Sequence, residues 1–354
     1  MEILALYGLN FAFMFSDSKI DKQKKQIFSS SDSLILKGFF ALLIIIHHIG
    51  CQFDFGDISY FNAKMGGVGV AVFFLLSAYG ILKSCEKHDY NYLTRLVFVK
   101  LLKLYLFQVA VNFFYYLILT PAGSTTDLLI RILNLDVFFG LGRINDFSWF
   151  ITTILLCYLG IALSLIIMKL FKIKKRKLFL GLSVIATTLI IGFCFYKFLV
   201  SNFYHRCIIG FIVGATLFIF EEKLIKLLSN KTVYVCLFIP LTLLSIFSLI
   251  WLNEETSALF VCLLLITAFK YVSLGENKIG SFLGKISLSI YLMQYMFFVF
   301  IPKNDILVYS FSIIGGTIVT AFIATIVLNF FVKALNYINN LIVKSKNKNN
   351  QIQT

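Results

Sequence analysis

The stretch 34-LILKGFFALLIIIHHIG-50 sets three ionisable side chains, Lys37, His47 and His48, in a run otherwise apolar enough to enter a membrane. Ionisable groups inside a span are costly and mark functional paths by default. Lys37 and His48 are eleven residues apart. At 100° per residue this is about 20° past three helical turns, so both side chains lie on one face, about 16 Å apart along the axis. Ala41 and Ile44 lie between them on that face. His47 is rotated by about 100° and reads as a packing residue. Histidine, with an ordinary pKa of about 6.5, can take a proton near neutral pH. Lys37 can snorkel to headgroups or hold an anionic group. His48 can be a bonded core histidine or a base.

Other polar groups interrupt the apolar runs. In 66-GGVGVAVFFLLSAYGI-81, Gly66, Gly67 and Gly69 permit close approach of a helix or ligand, and Ser77 adds a hydroxyl. In 94-TRLVFVKLLKLYLF-107, Lys100 and Lys103 share a side, with Arg95 about a turn earlier. This basic mouth suits capture of a phosphate, or it is ordinary loop charge. Trp149 and Phe150 open 147-FSWFITTILLCYL-159, and Arg143 and Arg206 stand at the starts of other runs. Ser287, Tyr291 and Gln294 punctuate 282-FLGKISLSIYLMQYMFF-298. Asp54 and Asp57 follow the first run and could orient His48.

These residues need long helices to position them. Of 354 residues 59% are hydrophobic and only 14% charged, and mean hydropathy is +0.89. Soluble domains are about half apolar and a quarter charged. Apolar runs cover about 34–52, 66–83, 96–119, 147–168, 178–199, 206–220, 232–252, 257–274, 281–301 and 307–332, each near the length of a span. The expected fold is all-α: a polytopic integral membrane bundle of about ten transmembrane helices with cytoplasmic N- and C-termini. That orientation puts 26 Lys/Arg inside and six outside, as the positive-inside rule requires. It also accounts for the net charge of +15 without nucleic acid. Residues 1–33 form a cytoplasmic or interfacial segment, with a short apolar stretch at 1–16 that lacks a signal peptide's basic lead. Residues 34–335 form the transmembrane domain and 336–354 a polar tail. The outer segment TDLLIRILNLDVFFGLGR, residues 126–143, carries Leu128, Ile132, Leu135 and Phe139 at helical spacing and predicts one amphipathic surface helix. Seven cysteines, none as CxxC, imply neither a disulfide framework nor a metal site.

In this order the motifs resemble the acyltransferase-3 family of membrane O-acyltransferases. Lys37, ten residues and His48 match that family's Arg/Lys-x10-His. The run 67-GVGVAVFFLLSAYG-80 matches Gly-x-Gly-Val-x-x-Phe-Phe-x-Leu-Ser-Gly with Ala78 for the last Gly, and Lys100/Lys103 match Arg-x-x-Arg. Trp149-Phe150 and 283-LGKISLSIYLMQ-294 match the Trp-Phe entry and the late Leu-Gly-x-(Ile/Ser)-Ser-x-x-x-Tyr-Leu-x-His. Gln294 replaces the late His, so no acid/base role passes to it. Lysine replaces arginine at three sites, keeping charge but losing bidentate geometry.

The resemblance implies transfer of an acyl group, by default acetyl, from cytoplasmic acyl-CoA to a hydroxyl of an extracytoplasmic glycan or glycolipid, in the cell membrane. His48 would be the catalytic group, as a general base or an acyl-histidine. Lys37, Lys100, Lys103, Arg95, Ser77, Gly67 and Gly69 would meet the acyl-CoA. Trp149, Arg143, Arg206, Tyr291 and Gln294 would meet the acceptor. The Lys37–His48 rise is similar to the length of the pantetheine arm. No metal or nucleic acid is implied, membrane lipid is the surrounding partner, and a homodimer stays open. The alternatives are a transporter or exporter of a polysaccharide or small polar solute, and a scaffold in glycan assembly. A transporter commonly shows repeated halves or broken helices, and neither stands out here.

Overall fold

A computed structural model describes residues 2–88, 92–119, 123–198, 208–303 and 305–352. The helices are α1 (Glu2–Phe15), α2 (Ser30–Gly50), α3 (Asp57–His88), α4 (Tyr92–Arg95), α5 (Leu102–Leu119), α6 (Thr125–Ile132), α7 (Asp136–Phe139) and α8 (Trp149–Leu170). There follow α9 (Arg176–Phe198), α10 (Ile208–Leu228), α11 (Lys231–Trp251), α12 (Glu254–Ala268), α13 (Lys278–Met293), α14 (Tyr295–Phe300) and α15 (Ile306–Ile352). The chain is an all-α polytopic membrane protein. Among the described residues seven helical segments are long and apolar enough to cross a membrane: Ser30–Gly50, Asp57–His88, Tyr92–Leu119, Asp146–Leu170, Arg176–Phe198, Lys231–Trp251 and Ile306–Ala334. Among the described residues the other three apolar runs are largely helical too, in α10, α12, and α13 with α14. They differ because α10 ends in Glu221, Glu222, Lys223 and Lys226, and α12 and α13 have only 15 and 16 residues.

The chain divides into two compact units, Met1–Gly80 with His205–Phe322, and Ile81–Tyr204 with Ile323–Thr354. In the first, α2 begins in a capping box. The Ser29 hydroxyl accepts from Asp32 N at 3.0 Å, and Asp32 Oδ2 accepts from Ser29 N at 3.2 Å. Asp32 is 1% exposed. It also accepts from Leu274 N at 2.9 Å and pairs with Lys24 Nζ at 2.7 Å. Lys24 donates to the carbonyls of Ile27, Phe269 and Val272. Burial holds its ammonium below the ordinary pKa, against the opposing pull of Asp32. A two-residue antiparallel ladder, β1 (Lys19–Ile20) on β2 (Val272–Ser273), completes this knot.

Glycines bring the helices of this unit together. Gly38 of α2 faces Gly280 and Gly284 of α13: a Cβ at Gly38 would stand 2.6 Å from Gly280 O and 2.8 Å from Gly284 N. A Cβ at Gly284 would strike the Leu34 carbonyl. Gly210 and Gly214 of α10 seat likewise on the backbone of α3 at Ala71 and Leu75. Lipid tails are as apolar as leucine, so close backbone packing through small-xxx-small pairs does what hydrophobicity does in water.

In the second unit a π-helical turn, Leu96–Leu101, joins α4 to α5. The expected single helix over 126–143 is instead two. Asn134 takes φ 59° and its amide donates to Thr152 Oγ1 at 3.0 Å. Asparagine tolerates that left-handed conformation, so a tertiary hydrogen bond ends α6 there. Gly140, at φ 66°, closes α7.

Two outcomes are expected on thermal unfolding of purified protein. Gly284→Ala loses stability by roughly 1–3 kcal/mol through overpacking, whereas Gly315→Ala, with nothing within 4 Å, stays near wild type. Lys24→Met strands the buried Asp32 carboxylate and costs about 3–5 kcal/mol, and adding Asp32→Asn recovers part of the loss.

Candidate active site

Lys37 and His48 lie on the one unbroken helix α2, both half-buried. The face between them is not open along its length. Ala41 and Ile44 are buried, and Ile44 fills the space beside Gly69, whose Cβ would be 2.8 Å from Ile44 Cγ1. Gly69 therefore seats α3 on α2.

The end of α2 is held by Asn62 of α3, itself 1% exposed. Its Nδ2 donates to His47 O at 3.0 Å, and its Oδ1 accepts from Tyr7 OH at 2.7 Å. His47 Nδ1 lies 2.6 Å from Asn62 O. A carbonyl only accepts, so Nδ1 carries a proton. Gly50 has no side chain because Asn62 occupies that space, and Gly66 leaves room for the His47 imidazole. His47 is thus more than packing: it is the anchored neighbour of His48, with ring centroids 4.8 Å apart. His48 also meets Phe298 edge to face at 5.9 Å. The Asn62 clamp left no trace in the sequence pattern, because it joins α3 to partners on α1 and α2.

The other side of α3 carries charge. Lys64 is 8% exposed and donates to the carbonyls of Leu249 at 2.9 Å and Ile250 at 3.1 Å, capping α11. One turn on, Gly67 makes room for the Glu254 carboxylate from the first turn of α12. In the sequence Glu254 looks like an ordinary acidic helix start after Asn253. Gly67 and Gly66 are adjacent, so Glu254 and His47 converge on one turn of α3. Asp54 and Asp57 do not orient His48: both are exposed, and Asp54 accepts from Gly56 N in its own turn. Ser77 is half-buried on α3.

On α13, Tyr291 is buried. Gln294, 0% exposed, marks the passage to α14 and donates to Tyr291 O at 3.1 Å. Its Oε1 has no hydrogen-bond partner among the described residues.

In the second unit, Arg95 ends α4, Lys100 lies in the π turn and Lys103 in the first turn of α5. Arg95 and Lys100 are exposed and Lys103 is half-buried. The i→i+5 spacing of a π turn sets Arg95 and Lys100 across one wide turn, a geometry frequent at functional sites. Arg143 pairs with Asp136 at 3.7 Å and donates to Asp146 O at 3.3 Å. Burial raises the Asp136 carboxyl pKa, and Arg143 draws it back down. Trp149 opens α8 after a short 3-10 turn, Asp146–Ser148. Arg206 lies outside the described residues.

Among the described residues no group of three or more His, Cys, Asp or Glu could hold a metal ion. No curated protein and no solved structure matches the chain. The acyltransferase-domain pattern of the acyltransferase-3 family does match, over residues 33–332. That span takes in α2 with Lys37 and His48, α3 with its glycines, the basic π turn, and α13 with Gln294. The chain belongs to the acyltransferase-3 family of membrane acyltransferases.

Proposed function

We propose that the protein moves an acetyl group from acetyl-CoA on the cytoplasmic side of the cell membrane to a hydroxyl of an extracytoplasmic glycan or glycolipid. The observation that carries this reading is Lys37 and His48 on one face of one continuous helix, within the region that matches the family. Neutral His48 takes the proton of the acceptor hydroxyl. The freed oxygen attacks the thioester carbonyl, the C–S bond breaks, and the imidazolium returns the proton to the departing CoA sulfur. Such base catalysis is typically worth about 10²–10⁴-fold. Lys37, Lys100 and Lys103 are the cations that the family resemblance assigns to the phosphates of CoA, with Arg95 five residues before Lys100. The orientation with the start of α2 and the C-terminus in the cytoplasm rests on the Lys/Arg asymmetry. Trp149, Tyr291 and Gln294 are carried over to the acceptor.

The Asn62 clamp supplies what a base needs besides a lone pair, which is a fixed position. A displacement of about 1 Å at a reacting group can cost about 10²-fold. His47, tied by both its ring and its carbonyl, limits where the next residue can go.

Purified protein with radiolabelled acetyl-CoA and a panel of glycans provides the test. His48→Ala is expected to lower label transfer by about 10²–10⁴-fold with CoA affinity unchanged. Equal transfer by the variant would remove His48 from the chemistry. Lys37→Ala, Lys100→Ala and Lys103→Ala are each expected to weaken CoA binding by about tenfold, and three wild-type affinities would refute the phosphate assignment. Asn62→Ala is expected to lower kcat by about ten- to a hundredfold while leaving CoA affinity in place. A fall in CoA affinity without a fall in kcat would contradict the positioning role.

A further inference from the structure

The apolar stretch at 1–16 reads in the sequence as part of a cytoplasmic or interfacial segment. The partners of α1 place it elsewhere. Near its C-terminal end, Asn277, the N-cap of α13, donates through Nδ2 to Phe13 O at 2.9 Å. This is the end where α2 starts, since Ser31 Oγ donates to Gly275 O at 3.2 Å. About a turn back along α1, Asn10 Nδ2 donates to Phe39 O of α2 at 3.2 Å. The rings of Phe11 and Phe39 meet edge to face at 6.4 Å. The next turn brings Tyr7, whose hydroxyl donates to Asn62 Oδ1 and whose ring meets Phe61 edge to face at 5.8 Å. Leu4, a turn further, lines a cavity with Asp57, Ile58 and Phe61 in the first turns of α3, past the end of α2. Phe13, Asn10, Tyr7 and Leu4 thus meet groups in order from the start of α2 to beyond its end. α1 runs antiparallel to α2.

An interfacial helix needs a strongly polar face toward water and lies in the plane of the membrane. α1 has no charged residue after Glu2, and it lies along a spanning helix. Ile3, Leu6, Asn10 and Met14 are buried, while Leu4, Leu9 and Phe11 are 42%, 67% and 57% exposed. A helix apolar on every side belongs in a protein core or in lipid, and these side chains face out of the protein. Fourteen residues make about 21 Å, short of a hydrocarbon core of about 30 Å. Short spans are accommodated by local thinning and by their flanking residues. Exposed Glu2 stands at one end of α1, and exposed Asp17, Ser18 and Lys19 follow the other. The one buried polar side chain between them, Asn10, is spent on Phe39 O.

We infer that α1 crosses the membrane, with Glu2 on the side of His48 and Lys22 on the opposite side, and that it brings Tyr7 to the histidines as a positioning residue. α1 contains neither Lys nor Arg, so the charge asymmetry that orients the later spans does not bear on it. With the start of α2 in the cytoplasm, the first residues of α1 lie outside, which corrects the expected side of the N-terminus. Tyr7 acts through Asn62. The Asn62 amide must turn its Nδ2 toward His47 O, which leaves Oδ1 as the atom that needs a donor, and the Tyr7 hydroxyl supplies one. Tyr7 precedes the matched residues 33–332, so no family motif contains it. The positioning role rests on the acyl-transfer reading, and the crossing does not.

The crossing is read by labelling. Wild type, Glu2→Cys and Lys22→Cys are treated in intact cells with a membrane-impermeant maleimide, before and after permeabilisation. Both positions are exposed. Glu2→Cys is expected to take up label above the wild-type level before permeabilisation, and Lys22→Cys only after it. Labelling of both from the same side would overturn the crossing. Positioning is read in the radiolabel assay. Tyr7→Phe keeps the ring and loses the hydroxyl. It is expected to lower kcat by about three- to tenfold with CoA affinity retained, and to add no loss where Asn62→Ala is already present. Wild-type kcat in Tyr7→Phe, or its full loss again on top of Asn62→Ala, would overturn the positioning role. Labelling from opposite sides, in a protein that transfers acetyl to no glycan, would sustain the crossing and reject the acyl-transfer reading.

Discussion

The backbone-to-backbone contact of Gly38 with Gly280 and Gly284 is the constraint on which the first unit depends. Lipid gives no driving force for burying leucine against leucine, so helices in it must associate by fitting closely or by hydrogen bonding. Here a carbonyl of one helix occupies the place where the other would have a side chain. This contact fixes the axial position and rotation of α2, and with them the direction of Lys37 and His48. The Lys24–Asp32 knot fixes its start, and the Asn62 clamp fixes its end. A helix pinned at three points can present a reactive side chain with little freedom, as a base requires.

The polar groups of this unit show how the cost of burying them is met. Lys64 spends its charge on the carbonyl ends of α11, which would otherwise lack partners. Glu221 accepts from Ile27 N and from the hydroxyl of Tyr79. Asn62 is bonded through its side chain and its backbone to Tyr7 and His47. Each does work at a helix end or break, where the backbone leaves donors or acceptors over. His48 differs from them in its place on the line from Lys37, next to a histidine whose tautomer is already decided by a carbonyl.

The second unit solves a different problem, joining a basic π turn at one end of a helix to a folded loop at the other. The loop is short of apolar contacts, and its α6 has no buried residue. It holds its shape through amides: Asn112 and Asn134 bind it to α5 and α8, and Arg143 spans it to Asp136. Such a loop keeps polar atoms within the unit, beside the start of α8.

The sequence by itself determined the class of this protein. Ten long apolar runs with few charges leave a helical membrane protein as the only economical fold, because every backbone group in lipid must be satisfied within its own segment. It also determined that Lys37 and His48 share a face, since helical periodicity is local and α2 is unbroken. The motif order sufficed for the family, because each motif is a short contiguous string. Tertiary structure alone decided the rest. Asn62 and Glu254 belong to none of the motifs, as their significance comes from groups on other helices. Gly69 offers room to a helix or a ligand, and Ile44 of α2 fills it. Residues 126–143 have the spacing of one helix, but a single hydrogen bond from Asn134 to Thr152 divides it. Local pattern dictates what a segment can form, and partners distant in the chain dictate which of its polar groups are used, because desolvation is cancelled only by an atom that the fold brings within hydrogen-bond reach.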